Sequence, residues 1–278
     1  MSTNIAALDQ TEPDVSNVLD FTAKFFRVLG KAGVSVKDFR LPVQNRVARR
    51  NLAEFLKAGC PKVVTTNGQN TETLVGYELA ATILGKDFVT PEEIASARVG
   101  VVYTEDQLEQ FESSLPSREE LEWLRDNGYM LIAGPPKEMS LLDIRDLNNE
   151  YFYSKTEGWY SAEKEKFSRD DKATTKWLKL RKREVPNSTN KTWDEQQPLL
   201  LEVEHVPNVA EVVWGVTSYK AVRGVYLLPN VYVRTSSLGS GGDRVGVGYF
   251  AAKGLRVGNG WGSSRDDSLG LASARNCN

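Results

Sequence analysis

The hydrophobic pattern changes its period part-way along the chain, and that change limits the fold more than any other feature. Before residue 134, apolar residues recur at steps of three and four, the spacing of one helix face. Val18, Phe21, Phe25 and Leu29 form such a stripe, which stops at Gly30. Val43, Val47, Leu52, Phe55 and Leu56 form a second, with Pro42 near its start and Gly59 just past its end. A third helix is expected over residues 73–84, closed by Gly85. Thr90 with Glu93, Thr104 with Gln107 and Ser117 with Glu120 each set a hydroxyl three residues before a carboxyl or amide, the pattern that caps a helix start. Gly128 ends the last of these helices. The apolar run from Tyr129 to Ala133 reads as a strand, stopped by Gly134, Pro135 and Pro136.

After that punctuation, Gly and aromatic residues become frequent, and short strand-like runs appear at 177–180, 231–235, 245–250 and 269–274. Two helices interrupt them. One is expected over 193–203 despite Pro198. The other runs from Asn208, whose side chain can cap with Glu211, through Val209, Val212, Val213 and Val216 to Gly224. Helices followed by a twisted antiparallel sheet make an α+β arrangement. The expected division is a mainly helical region at 1–140 and a sheet-containing domain at 141–278.

Much chemistry is missing. The 35 Lys and Arg nearly cancel the 37 Asp and Glu, so no global field exists to gather nucleic acid or an anionic membrane. Residues 176–183 place Lys176, Lys179, Arg181, Lys182 and Arg183 around Trp177, which reads as a half-buried strand with a solvated face rather than a nucleic-acid patch. No window approaches the about 20 apolar residues of a membrane span, and no signal peptide is evident, so a cytoplasmic or virion location is expected, with surface display left open. Cys60 and Cys277 lie far apart and read as free thiols. The one histidine, His205, reads as a solvated or capping residue at a helix end. Gly239, Ser240, Gly241 and Gly242 lack the Lys-Ser/Thr of a phosphate loop and read as a turn between strands. No catalytic residue, cofactor or metal site is expected.

The tail from Val245, VGVGYFAAKGLRVGNGWGSSRDDSLGLASARNCN, carries the strongest signal. After Phe250 its sizeable hydrophobes are Leu255, Val257, Trp261, Leu269 and Leu271, separated by small polar residues. Such spacing reads as anchors holding exposed loops. The interspersed Gly, Asn, Ser, Asp, Ala, Tyr and Arg can all be reached from an Asn codon by replacing its adenines, whereas Glu, Gln, Met and Trp cannot. Lys253 falls outside that set and is assigned to the scaffold. Composition alone favours a plain Gly/Ser/Asp-rich surface loop, which needs no genetic mechanism.

The pattern GLRV…W…R…LGLASAR, with EYFYSKTEGWYS and VYVRTSS upstream, resembles the variable proteins of diversity-generating retroelements, especially those of uncultivated small-genome bacteria, archaea and their viruses. The resemblance covers about the last 130 residues. It implies a C-type lectin fold, related to that of formylglycine-generating enzymes, whose 3′-encoded end is rewritten at adenines by an error-prone reverse transcriptase. By position it implies variable, ligand-contacting residues at Tyr249, Ala251, Ala252, Arg256, Gly258, Asn259, Gly260, Gly262, Ser263, Ser264, Asp266, Asp267 and Ser268, within a variable region at about 245–276. Leu255, Val257, Trp261, Arg265, Leu269 and Gly270 would be fixed anchors, with Trp261 and Leu269 pointing inward. Cys277 and Asn278, after Arg275 and Asn276, depart from the pattern, since relatives tend to stop sooner.

The implied function is recognition of a protein or surface ligand. Tyr and Arg would supply contact area, and Ser, Asn, Asp and Gly adaptable polar contacts. Two alternatives stand beside it. One is an enzyme of the formylglycine-generating type, whose reactive cysteines would have to include Cys277. The other is a virion adhesion protein without diversification. Asp266 and Asp267 sit at positions expected to vary and so are unfit to hold a calcium ion that the fold requires.

Overall fold

The computed structural model describes residues 74–276. The stripes expected at 18–29 and 43–56, and both cysteines, lie outside the described residues. Those residues belong to one compact unit, Asn70–Asn278. The boundary expected near residue 140 is therefore corrected: the chain passes through that point inside a single core.

Local sequence explains most of the first half. Helix α1 (Gly76–Leu84) ends at Gly85, whose positive φ closes it. After strand β1 (Phe88–Val89) come α2 (Pro91–Ala97), α3 (Glu105–Ser113) and α4 (Arg118–Asp126). Thr90 and Thr104 both make reciprocal capping boxes, satisfying helix-start N–H groups, while Ser117 accepts from the Glu120 N–H without the return bond. Strand β2 (Tyr129–Ala133) is buried at all five residues, so both its faces are covered. That double burial is why residue 134 is not a boundary. The Gly134 N–H continues the pairing to the Lys176 carbonyl.

Strand β3 (Met139–Ser140), α5 (Leu141–Leu147), α6 (Phe167–Asp170) and β4 (Lys172–Ala173) precede β5 (Trp177–Arg181). Helix α7 (Trp193–Gln196) is one turn long and passes into a 3₁₀ turn at Gln197–Leu199, shorter than expected because Pro198 has no N–H to continue it. His205 lies in strand β6 (Glu204–His205), not at a helix end, and its Nδ1 hydrogen-bonds Asn276 Oδ1 at 2.7 Å. Helix α8 (Val209–Arg223) runs from a full Asn208–Glu211 box to a left-handed Gly224. The chain ends through β7 (Tyr232–Leu238), β8 (Arg244–Ala251), β9 (Gly254–Gly260), β10 (Leu269–Leu271) and β11 (Ala274–Arg275).

These elements make an α+β structure with two main open sheets, ordered β1-β2-β5-β11-β6 and β10-β7-β8-β9. Each is mostly antiparallel, with one parallel pair, β1 with β2 and β10 with β7. On one side of the first sheet, Trp177 meets Tyr77, Phe88 and Phe111, and donates from its indole to the Phe111 carbonyl at 2.8 Å. Helix α8 packs against both sheets and is buried on most of its circumference, as expected of a helix apolar nearly all round. Its Gly215 allows the close approach: a Cβ there would stand 2.4 Å from Leu180 Cδ1. Lys179 of β5 is buried and pairs with Glu120 at 2.6 Å, so the face expected to be solvated is covered by α4.

Candidate ligand-binding groove

Strand β9 was not expected, because GLRVGNG is poor in strand-forming residues. It forms by register with β8: Arg244 opposite Gly260, Gly246 opposite Gly258, Val247 opposite Val257, and Gly248 opposite Arg256. Val245, Val247, Leu255 and Val257 point into the core. The opposite face presents Arg244, Gly246, Arg256, Gly258 and Gly260. With Tyr232 and Arg234 of β7 they line a groove of about 850 Å³, joined by Trp159, Tyr249 and residues of the 261–268 loop.

A β-bulge shapes one end. Strict alternation would send Tyr249 inward beside Val245 and Val247, but the register shifts between Gly248 and Ala251. Tyr249 adopts φ 44, Phe250 is buried instead, and the tyrosine ring turns to Tyr232 with centroids 4.9 Å apart. Gly248 is required there, since a Cβ would lie 1.9 Å from the Val231 carbonyl oxygen. Burial raises the pKa of the Tyr232 hydroxyl, against the opposing charge of Arg256, so it stays a neutral donor.

The 261–268 loop is held from beneath by its own backbone. Arg234 is 1 % exposed, and its guanidinium donates to the carbonyls of Ser264 at 2.7 Å, Lys191 at 2.9 Å and Trp261 at 3.1 Å, and to Gln196 Oε1 at 3.0 Å. The Gly262 carbonyl accepts from the Trp193 N–H at 2.7 Å, that of Asp266 from Asn190 at 2.9 Å, and that of Ser268 from Tyr232 at 2.7 Å. On the edge of β9, the Leu255 carbonyl accepts from the Tyr153 N–H and the Val257 carbonyl from the Trp159 indole. Only carbonyls of the tail enter these bonds, so any side chain can be attached without removing one.

The thirteen residues expected to vary are all exposed or half-buried. Eight of them line the groove: Tyr249, Arg256, Gly258, Asn259, Gly260, Ser264, Asp266 and Ser268. The other five do not. Ala251 and Ala252 are exposed where β8 turns into β9, Gly262 and Ser263 sit on the turn after Trp261, and Asp267 lines a separate cleft with Lys182 and Tyr226. The exposed Asp266 carboxylate accepts from the Ser268 hydroxyl and N–H, which hold it below the ordinary aspartate range.

Among the expected anchors, Leu255, Val257 and Gly270 are buried and Leu269 is half-buried. Trp261 is a correction: it is 63 % exposed. The space beneath the loop is filled by Arg234, which takes the Trp261 carbonyl and leaves the ring outside. Arg265 is also exposed, and serves as a surface tie from the loop to Glu195 at 2.7 Å and to the Asn190 carbonyl at 3.3 Å. Sequence reasoning missed Tyr232, Arg234, Arg244 and Trp159. In VYVRTSS the alternation puts Tyr232 and Arg234 on the solvent side, and nothing local reveals that a distant loop covers the arginine.

No histidine or cysteine lines the groove, and among the described residues no cluster of His, Cys, Asp and Glu could hold a metal ion. No helix there is long and apolar enough to cross a membrane. The arrangement is equipped to bind through aromatic faces, guanidinium groups and a flat glycine floor. No protein-family model, curated protein sequence or solved structure matches the chain.

Proposed function

We propose that this chain is a binding protein whose tail, at about 245–276, is a diversified recognition surface on a scaffold of the C-type lectin kind, rewritten by a diversity-generating retroelement. The observation that carries the reading is the way the 261–268 loop is fastened. A surface that accepts many side chains cannot depend on any of them for folding, and here the tail is held through its carbonyls by Arg234, Trp193, Asn190 and Tyr232. Two main sheets packed on one central helix are compatible with the proposed scaffold.

Trp261 takes a new role in this reading. Tryptophan lies outside the set reached by adenine replacement, so a fixed, exposed indole stands among variable neighbours. It is suited to be a constant contact, since tryptophan is enriched where a few residues dominate binding energy.

The test is a combined variant with Gly258, Asn259, Gly260, Ser263 and Ser264 replaced by Tyr, Arg or Ala. Its urea midpoint should match that of the parent, each site contributing within about 0.5 kcal/mol. Unfolding of such variants would overturn the reading. The gene should also lie beside a repeat of its tail that differs only at adenines.

A further inference from the structure

Four arginines, Arg234, Arg244, Arg256 and Arg265, line the groove against a single carboxylate, Asp266, although the chain as a whole carries a net charge of −2. Two of the four are already committed, Arg234 to four acceptors beneath the loop and Arg265 to Glu195. Arg244 and Arg256 form no ion pair among the described residues. Instead each guanidinium lies over an aromatic ring, Arg244 at 3.7 Å from the Trp193 centroid and Arg256 at 4.4 Å from that of Tyr153.

A guanidinium held over a ring keeps edge N–H groups available to grip a carboxylate with two parallel hydrogen bonds; Arg256 also interacts with the Tyr232 hydroxyl. Arg244 uses one donor, on the Ser236 carbonyl at 2.9 Å. Burial pulls its pKa below the ordinary arginine value, and nearby Asp194 partly offsets that.

The spacing narrows the occupant. Arg244 and Gly248 lie on the same face of β8, and Arg256 is paired with Gly248. The two guanidinium attachments are thus about 13 Å apart along the strand direction, four residues of extended chain. Between them lie Gly246 and Gly258, beside the Tyr232 ring, whose Cε1 would stand 3.5 Å from a Cβ at Gly258; Gly260, level with Arg244, is open, with nothing within 4 Å of a Cβ there.

Resting on the recognition role above, we propose that the groove binds an acidic, extended segment of a partner protein, with two carboxylates four residues apart seated on Arg244 and Arg256. A long polyanion such as nucleic acid would need basic surface beyond the groove, and the near-balance of charge over the chain supplies no field to gather it, whereas a short acidic segment needs only the groove.

The full chain is titrated into a fluorescein-labelled Gly/Ser peptide carrying two glutamates four residues apart, read by fluorescence anisotropy, with the glutamine version as control. The glutamate peptide should bind about tenfold or more tightly than the control, and Arg244→Gln and Arg256→Gln should each lose about tenfold, as expected for charge-assisted pairs. Arg256 is exposed, so its variant keeps the test valid even if Arg244→Gln is poorly folded. No binding, equal binding of the two peptides, unchanged affinity in both variants, or tighter binding of a single-stranded oligonucleotide would each overturn the proposal. If the glutamate peptide fails while the combined loop variant still folds, the acidic ligand falls and the recognition reading stands. If that variant unfolds, the recognition reading itself falls.

Discussion

Replacing Arg234 by methionine should loosen the 261–268 loop from the strands beneath it. The side chain donates four hydrogen bonds of 2.7–3.1 Å from a buried guanidinium, two to the loop carbonyls of Trp261 and Ser264, one to Lys191 and one to Gln196. Hydrogen bonds to a charged group contribute about 1.5–3 kcal/mol each, which would sum to about 6–12 kcal/mol. Burying the guanidinium costs several kcal/mol, and the orphaned carbonyls can regain water when the loop opens. The expected net loss is therefore about 3–5 kcal/mol, similar to breaking other buried charged partnerships. Arg234→Lys should recover little, because a single ammonium cannot span four acceptors set for a planar fork. Urea unfolding gives the total, and hydrogen exchange at the Ser264 amide, which bonds to the Trp261 carbonyl, localises it. Arg256→Met, at an exposed site, is the matched control and should stay within about 0.5 kcal/mol. A loss below about 1 kcal/mol for Arg234→Met, or unchanged Ser264 protection, would refute the idea that this arginine holds the loop.

Trp261→Ala should change stability by less than about 1 kcal/mol in urea unfolding, since the ring is exposed; a loss of about 3 kcal/mol or more, the cost of a core aromatic, would place it inside after all. Gly248→Ala should cost more than about 3 kcal/mol, because its Cβ would collide with the Val231 carbonyl oxygen at 1.9 Å, and a stable variant would show that the β7–β8 register is wrong. The Glu195 carboxyl is drawn from its ordinary 4.5 to about 2, chiefly by Arg265 and then by the Thr192 N–H. Because the folded value is depressed, its stabilisation is present above about 4.5 and is lost as pH falls towards 2. Arg265→Ala should bring the titration, followed by NMR, back towards 4.5. Adding a chelator should leave the melting temperature unchanged, and a marked drop would reveal a metal that the fold requires.

The parts of the fold legible in sequence are those decided within a few residues. Thr90, Thr104 and Asn208 cap their helices through a partner three positions on, and the runs around Trp177 and Val245 form strands as their alternation and branching suggest. What could not be read depends on residues far apart in the chain. Gly134, Pro135 and Pro136 look like a domain break, yet β2 just before them is enclosed by α4, β1 and β5. The glycines of β9 look like loop and instead make the flat floor of a groove. Hydropathy alone sends Trp261 inward and Arg234 outward, and the two exchange places for one reason: loop carbonyls crowd the underside, and a guanidinium can satisfy several of them where an indole, with one N–H, can satisfy only one. The tail was legible as a set of positions outside the core, seven of them exposed and six half-buried. Its grouping into eight groove residues and five outside required the bulge at Tyr249 and the turn after Trp261.

Strand β11 lies between β5 and β6, bonded at Ala274 to Leu180 and His205, and β10 pairs with Tyr232 at the border of the other sheet. Both sheets are therefore finished by residues translated after the segment 249–268, which holds every position proposed to vary. A changed base in that segment alters one side chain and leaves the later strands as they were. A lost or gained base shifts the reading frame, so Leu269–Leu271 and Ala274–Arg275 are never made and the first sheet keeps an open slot at its interior. Under the proposed rewriting, folding would act as a proofreader of the copying step, accepting novelty in letters and rejecting errors in length.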